Sequence, residues 1–151
     1  MIKRSLHTFL ICFVFVNILK ASEYEITVLA TNTANFGGIG EWSFSALLES
    51  ENETILFDTG FDENTVLHNA KLLKKDLRRV EKVILSHFHG DHTGGLIKLR
   101  QTFMGDNPKA FSRVFVAEGF FDQRYDVDGN LRGFIGGFNE VSKFKKEAQE
   151  L

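Results

Sequence analysis

Three of the chain's five histidines and one aspartate fall within six consecutive residues, His87-Phe88-His89-Gly90-Asp91-His92. Imidazole and carboxylate are the donors that a borderline divalent cation such as Zn²⁺ accepts. The run follows Val83-Ile84-Leu85, so an apolar strand stops abruptly in a loop with glycine at Gly90, Gly94 and Gly95. In near-extended backbone His87 and His89 project to one side, because side chains alternate with period two. Gly90 permits a turn, after which Asp91 and His92 aim at a second position nearby. The spacing reads as a two-metal loop, with His87 and His89 on one ion and Asp91 and His92 on the other. Zn²⁺ brings the pKa of a bound water down to about 7, and a second ion roughly 3.5–4 Å away polarises the bond to be broken. Asp91 would also orient the nucleophile. That chemistry suits hydrolysis of an ester, amide or phosphoester. A single histidine at a strand end is usually a packing or surface residue; three in six with an aspartate between them are not explained by packing.

The flanking segments supply a frame for this loop. Residues 23–30 read as a first strand and 31–40 as an Asn- and Gly-rich loop. Trp42, Phe44, Ala46 and Leu48 alternate with polar neighbours as in a half-buried strand, with Leu47 breaking the polar side. Residues 50–53 turn the chain back into a strand over 54–58, making a hairpin. Asp62 is placed to cap a helix running to about Lys75, with Val66, Ala70 and Leu73 on its inner face and lysines near its end. His68 sits mid-helix with no ligand partner in its spacing. Residues 82–86 form a short apolar strand suited to the interior of a sheet. Thr93 can cap a helix that points Leu96, Leu99 and Phe103 inward, and 113–117 is a further strand. Gly94 and Gly95 either allow close approach of a neighbouring segment or are simple turn residues. The aromatic-rich stretch 118–138, with Phe120, Phe121, Tyr125, Phe134 and Phe138, reads as core or loop packing ahead of an active-site flap. Asp126-Val127-Asp128-Gly129-Asn130 is a turn, since Gly137 stands where a calcium loop needs its bidentate glutamate. Strands alternating with helices around a buried sheet give an α/β layered fold.

The 151 residues accommodate one domain and an export segment. Basic Lys3 and Arg4, the apolar run 9–16 and a cleavage position after Ala21 read as a signal peptide over 1–21, too short for a membrane span. The expected location is exported, periplasmic or secreted, with no stable membrane span after processing. Cys12, the only cysteine, lies in that segment behind bulky Ile11, so the remaining chain 22–151 has no disulfide or thiolate ligand. That remainder carries 15 basic and 20 acidic residues, a net charge of −5. No basic patch with interleaved aromatics appears, which speaks for a small-molecule substrate and against nucleic acid. The local cluster Lys71, Lys74, Lys75, Arg78 and Arg79 reads as the solvated end of a helix.

The pattern His87-Phe88-His89-Gly90-Asp91-His92 resembles the signature of the metallo-β-lactamase superfamily. Ile55-Leu56-Phe57-Asp58-Thr59-Gly60 resembles that superfamily's strand ending in an aspartate that braces the metal loop. Leu67-His68-Asn69-Ala70, Leu85-Ser86-His87 and Thr93-Gly94-Gly95-Leu96 are similar to its dihydropterin-ribofuranosylaminobenzene-phosphate-synthase-like branch. The resemblance spans about Trp42 to Ala117. It implies half of an αββα sandwich, a dinuclear site holding zinc (or iron or manganese), and hydrolase activity. It also implies that Asp58 accepts hydrogen bonds from the loop or from a ligating imidazole; without the resemblance, Asp58 reads as a strand-end cap. Complete members add a further histidine to the first ion, then a bridging aspartate and a last histidine. Here no histidine follows His92, and no spacing selects Asp106, Glu118 or Asp122 as a substitute. Val141, Phe144, Ala148 and Leu151 form an apolar helical stripe that runs to the last residue without a stop signal. The expectation is a partial domain over 22–151: the N-terminal half of such a hydrolase, active with the missing half or through self-association. The alternative is a non-catalytic remnant that binds metal or a partner.

Overall fold

A computed structural model describes residues 23–132. The expected signal peptide with Cys12, the apolar stripe from Val141 to Leu151, and Phe134, Gly137 and Phe138 lie outside the described residues. A five-stranded sheet runs in the order β1-β2-β3-β4-β5. β1 (Glu25–Ala30), β2 (Ser45–Glu49) and β3 (Thr54–Phe57) form an antiparallel meander. β4 (Lys82–Ile84) and β5 (Arg113–Phe115) add parallel to β3. Parallel neighbours need long crossovers, and helices provide them. α1 (Thr65–Leu72) links β3 to β4, and α2 (Gly90–Thr93) with α3 (Leu96–Phe103) links β4 to β5. A small hairpin of β6 (Arg124–Tyr125) and β7 (Leu131–Arg132) follows, closed by the 126–130 turn, where Asp126 Oδ1 accepts from the amides of Asp128 and Asn130. Among the described residues no helix is long and apolar enough to cross a membrane.

The core lies on one face of the sheet. Leu47, Leu56 and Val83 are register partners across β2, β3 and β4, and all three are fully buried. Val66 and Ala70 of α1, and Leu96 and Leu99 of α3, close over them. Phe120 joins this core and Phe121 packs beside it, as expected of packing aromatics. The opposite face carries Ile26, Val28, Leu48, Ile84 and Phe115, each at least 36% exposed. One helical layer on one sheet with a second apolar face is the expected half of a four-layer sandwich.

Five local expectations fail. β2 begins at Ser45, Trp42 is 77% exposed, and the strand turns Leu47 inward and Leu48 outward. Both faces of this strand are apolar, so alternation alone cannot say which one meets the helices. Leu73 lies past the end of α1 and is 45% exposed. Asp62 does not cap α1; it accepts from Asn64 N in the turn before the helix. Thr93 does not cap α3 but is fully buried within α2, donating to the His89 carbonyl at 2.9 Å. The basic cluster is also divided. Lys75 leaves α1 to pair with Glu25 and Glu49 at 2.7 and 2.6 Å, and Arg78 and Arg79 belong to a separate 3-10 turn, Leu77–Arg79.

Candidate metal centre

The loop begins where β4 runs out. Leu85 still bonds to β5, its amide donating to the Phe115 carbonyl, and its side chain is 2% exposed. That anchor holds the next residues at the C-terminal edge of the parallel strands. His89 is extended (φ −67°, ψ 149°), and the chain then coils into α2. Gly90 is one of the helical residues of α2, so the turn is a helical one.

His87, Asp91 and His92 present ligand atoms that all lie within 4.8 Å of one another. Asp91 Oδ2 and His92 Nε2 are 3.5 Å apart, and His87 Nε2 is 3.2 Å from His89 Nδ1. Two ligands about 2.1 Å from one tetrahedral ion stand about 3.4 Å apart. The three-residue cluster thus joins His87 to Asp91 and His92, across the two pairs expected from the sequence, while His89 stands outside it and meets His87; imidazole plus carboxylate is a donor set that fits a divalent cation. The rings of His87 and His92 lie 4.1 Å apart, so the two pairs share one patch. Asp106, Glu118 and Asp122 are not in the three-residue cluster. His68 is used elsewhere: its Nε2 meets the Gly37 carbonyl at 2.7 Å.

Asp58 ties the patch to β3. Its side chain is 1% exposed, and it is fully hydrogen bonded. Oδ1 accepts from the Ser86 amide at 2.7 Å; Oδ2 accepts from the Ser86 hydroxyl and pairs with His92 Nδ1, both at 2.7 Å. A carboxylate facing Nδ1 assigns the proton to that nitrogen, which leaves Nε2, 3.5 Å from Asp91 Oδ2, with its lone pair free to ligate. Asp58 reaches this position with φ +54°, a left-handed conformation that aspartate tolerates better than most residues.

Two further features hold the loop, and the sequence disclosed only one of them. Gly94 and Gly95 pack directly on the backbone that follows Asp58. A Cβ on Gly94 would stand 1.9 Å from the Phe61 carbonyl oxygen, and one on Gly95 would stand 2.4 Å from that of Thr59. Close approach is therefore the correct one of the two readings of these glycines. The segments are spliced by Thr59 N to His92 O at 2.7 Å and Gly94 N to Gly60 O at 2.9 Å. Glu41 went unnoticed in the sequence. Its Oε1 accepts from the Phe61 amide and the Ser43 hydroxyl, and its Oε2 from the Asp62 amide and the Thr65 hydroxyl. A lone glutamate in a polar loop carries no periodic signal for such a role. On the other side, the Arg124 guanidinium lies 4.8 Å over the Phe88 ring, placing the β6–β7 hairpin against the loop.

Burial, and then the neighbouring His92 and His89, hold the His87 imidazole below its ordinary value of 6.5, with Asp58 and Asp91 opposing. His87 is thus kept neutral, the form that ligates. The sign for folding follows from linkage. Unfolded chains take up this proton near 6.5, whereas the folded, metal-free protein resists until lower pH. The stability contributed by neutral His87 is present above 6.5 and declines as pH falls from there through the folded-state value. Urea unfolding of chelator-treated protein is expected to show lower stability at pH 5.5 than at 7.5, with a shallower decline in His87→Asn. Equal declines in the two proteins would refute the assignment to His87.

Comparison with known proteins gives a consistent picture. The family description "Metallo-beta-lactamase superfamily" matches residues 43–106. The chain is 34% identical over 117 residues to the 7,8-dihydropterin-6-methyl-4-(beta-D-ribofuranosyl)-aminobenzene-5'-phosphate synthase of Methanocaldococcus jannaschii, a match covering 70% of this chain and 40% of that protein. It is 34% identical over 116 residues to ribonuclease Z of Thermococcus onnurineus, covering 66% of this chain and 36% of the relative. The solved structure of Tm1679, a metal-dependent hydrolase of the β-lactamase superfamily, superposes with a TM-score of 0.45 at 39% identity, over 51% of this chain and 27% of the other. These matches span less than half the length of each relative.

Proposed function

Because residues 43–106 belong to the metallo-β-lactamase superfamily, we propose that the chain provides the His87–His92 side of a dinuclear, zinc-dependent hydrolytic site acting on a small molecule. The observation that supports this reading is the convergence of His87, Asp91 and His92, whose ligand atoms lie within 4.8 Å of one another, with His89 Nδ1 3.2 Å from His87 Nε2. His87 and His89 would hold one ion, and Asp91 and His92 the other. When bound, such ions act as Lewis acids and make water nucleophilic at neutral pH. The chain's own part is positional. Asp58 fixes the His92 ring and its tautomer, burial keeps His87 unprotonated, and Asp91 orients the attacking group. A catalytic zinc takes three protein ligands. The further donors would come from sequence equivalent to the part of the relatives that these matches do not reach. Iron or manganese would suit the same donors. Export past the 1–21 segment completes the proposal.

Dialysis of the purified chain against zinc, then elemental analysis, is expected to leave about one ion or more per chain, since a ligand site of this kind retains its metal. His89→Ala and His92→Ala should each lower that content. Turnover of a phosphodiester or lactone, if present, should vanish in His89→Ala. A parent protein that leaves dialysis with no more zinc than His92→Ala refutes the reading. The ribonuclease Z relatives favour an RNA substrate as a second reading. Cleavage of a structured RNA by the zinc-loaded chain, with no action on small esters, would establish it.

A further inference from the structure

At the opposite end of the sheet from the metal loop lies a cavity of about 460 Å³, at the first residues of β3, β4 and β5. Its lining includes four cations, Arg78, Arg79, Lys82 and Arg113, against two carboxylates, Glu53 and Glu81. The lining is net positive in a chain that is net −2. We propose that this cavity binds a small phosphorylated molecule through its phosphate.

Both carboxylates are already engaged. Glu81 pairs with Arg113 at 2.8 Å, and Glu53 pairs with Lys82. Asp76, which is not in the lining, takes Arg78 through two contacts of 2.8 Å. Arg79 feels the charge of Asp76 but makes no hydrogen bond or ion pair among the described residues. The amide of Asn52, also in the lining, makes no side-chain hydrogen bond there either. A guanidinium fork with nothing to grip, in a lining that also holds a free amide, supplies the donors that a phosphate accepts from.

The walls are set before any ligand arrives. Leu77 and Val80, on either side of the arginine pair, are at most 2% exposed, and Asp76 caps the 3-10 turn by accepting from the Arg78 amide. Asn107 donates to the Arg78 carbonyl at 2.9 Å, and the Phe111 amide to that of Val80 at 2.7 Å. The volume falls in the range of small-molecule sites, and a lining of only polar and charged residues, unlike the mostly apolar walls of most such sites, selects a charged group over an apolar one. It is a separate site. Lys82 starts β4 and His87 follows its end, roughly 16 Å away at the rise of a strand. A nucleic-acid backbone would need cations continuing beyond the cavity, yet the nearby Lys75 is committed to Glu25 and Glu49.

Inorganic pyrophosphate titrated into the chelator-treated full chain, followed by amide chemical shifts, tests the proposal. Shifts are expected at residues 78–82 and 113. Arg79→Ala should weaken binding at least ten-fold, whereas the exposed-surface control Lys71→Ala should leave it within two-fold. Shifts confined to 86–92, equal weakening in both variants, or no saturable binding would each overturn the site. A single-stranded RNA oligonucleotide that binds more tightly than pyrophosphate and displaces it would overturn the small-molecule assignment.

Discussion

Gly94→Ala should unfold this protein at a markedly lower temperature than the parent. Gly94 has helical dihedrals (φ −62°, ψ −35°), so propensity alone would favour alanine by about 1 kcal/mol. Sterics decide the matter. The new Cβ would lie 1.9 Å from the Phe61 carbonyl oxygen, which is backbone and cannot rotate aside. Relief requires α2 to draw away from the segment after β3, which breaks the Gly94 N to Gly60 O bond and strains the one between Thr59 and His92. Overpacking of this kind costs about 3 kcal/mol, more where backbone must move. For a domain of this size the net loss should lower Tm by about 10 °C or more. Zinc affinity should fall with it, because the displaced helix carries Asp91 and His92. Gly105→Ala is the matched control, since a Cβ there meets nothing within 4 Å. A Gly94→Ala protein that melts with the parent would show that the two segments are not in contact.

The second large effect separates folding from metal binding. Asp58→Asn should retain the fold and weaken zinc about 10- to 100-fold, the usual penalty for losing a ligand's outer partner. Asparagine accepts the left-handed backbone (φ +54°) and keeps an oxygen for the Ser86 amide. Its NH₂ group, however, would face His92 Nδ1. That nitrogen must then accept a hydrogen bond, the ring proton moves to Nε2, and the lone pair that would ligate disappears. Asp58→Ala removes the acceptor as well. It leaves buried donors unpaired at about 1–3 kcal/mol and places alanine in a conformation it resists. The expected order is parent, Asn, Ala for thermal stability, with both variants impaired for zinc. Undiminished zinc affinity in Asp58→Asn would exclude the tautomer argument.

The sequence made the donors legible because ligand chemistry is a matter of residue type, and imidazoles crowd together for few other reasons. Asp58 was legible through the strand it ends. Its reach to Ser86 and His92 depends on β3 and β4 lying side by side and parallel, which a linear string does not display. The face of β2 was not legible, because Leu47 and Leu48 are equally apolar and only the helices above decide between them. Glu41 was hidden for a different reason. Its partners are amides and hydroxyls up to 24 residues away, and backbone amides look the same in every sequence. Arg79 illustrates the converse. Its charge was visible as part of a basic cluster, but its freedom became visible only once its neighbours had found their own partners.

The splice between Gly94 and the 59–61 segment has a consequence for how this chain can change. Phe61 supplies its carbonyl to that contact and its amide to Glu41, while the residue as a whole is 59% exposed. The seat of α2 on the 59–61 segment is thus made through main-chain atoms, and the Phe61 side chain takes no part in it. Replacing that side chain leaves both main-chain contacts intact, so position 61 can vary at the surface without unseating the helix that carries Asp91 and His92.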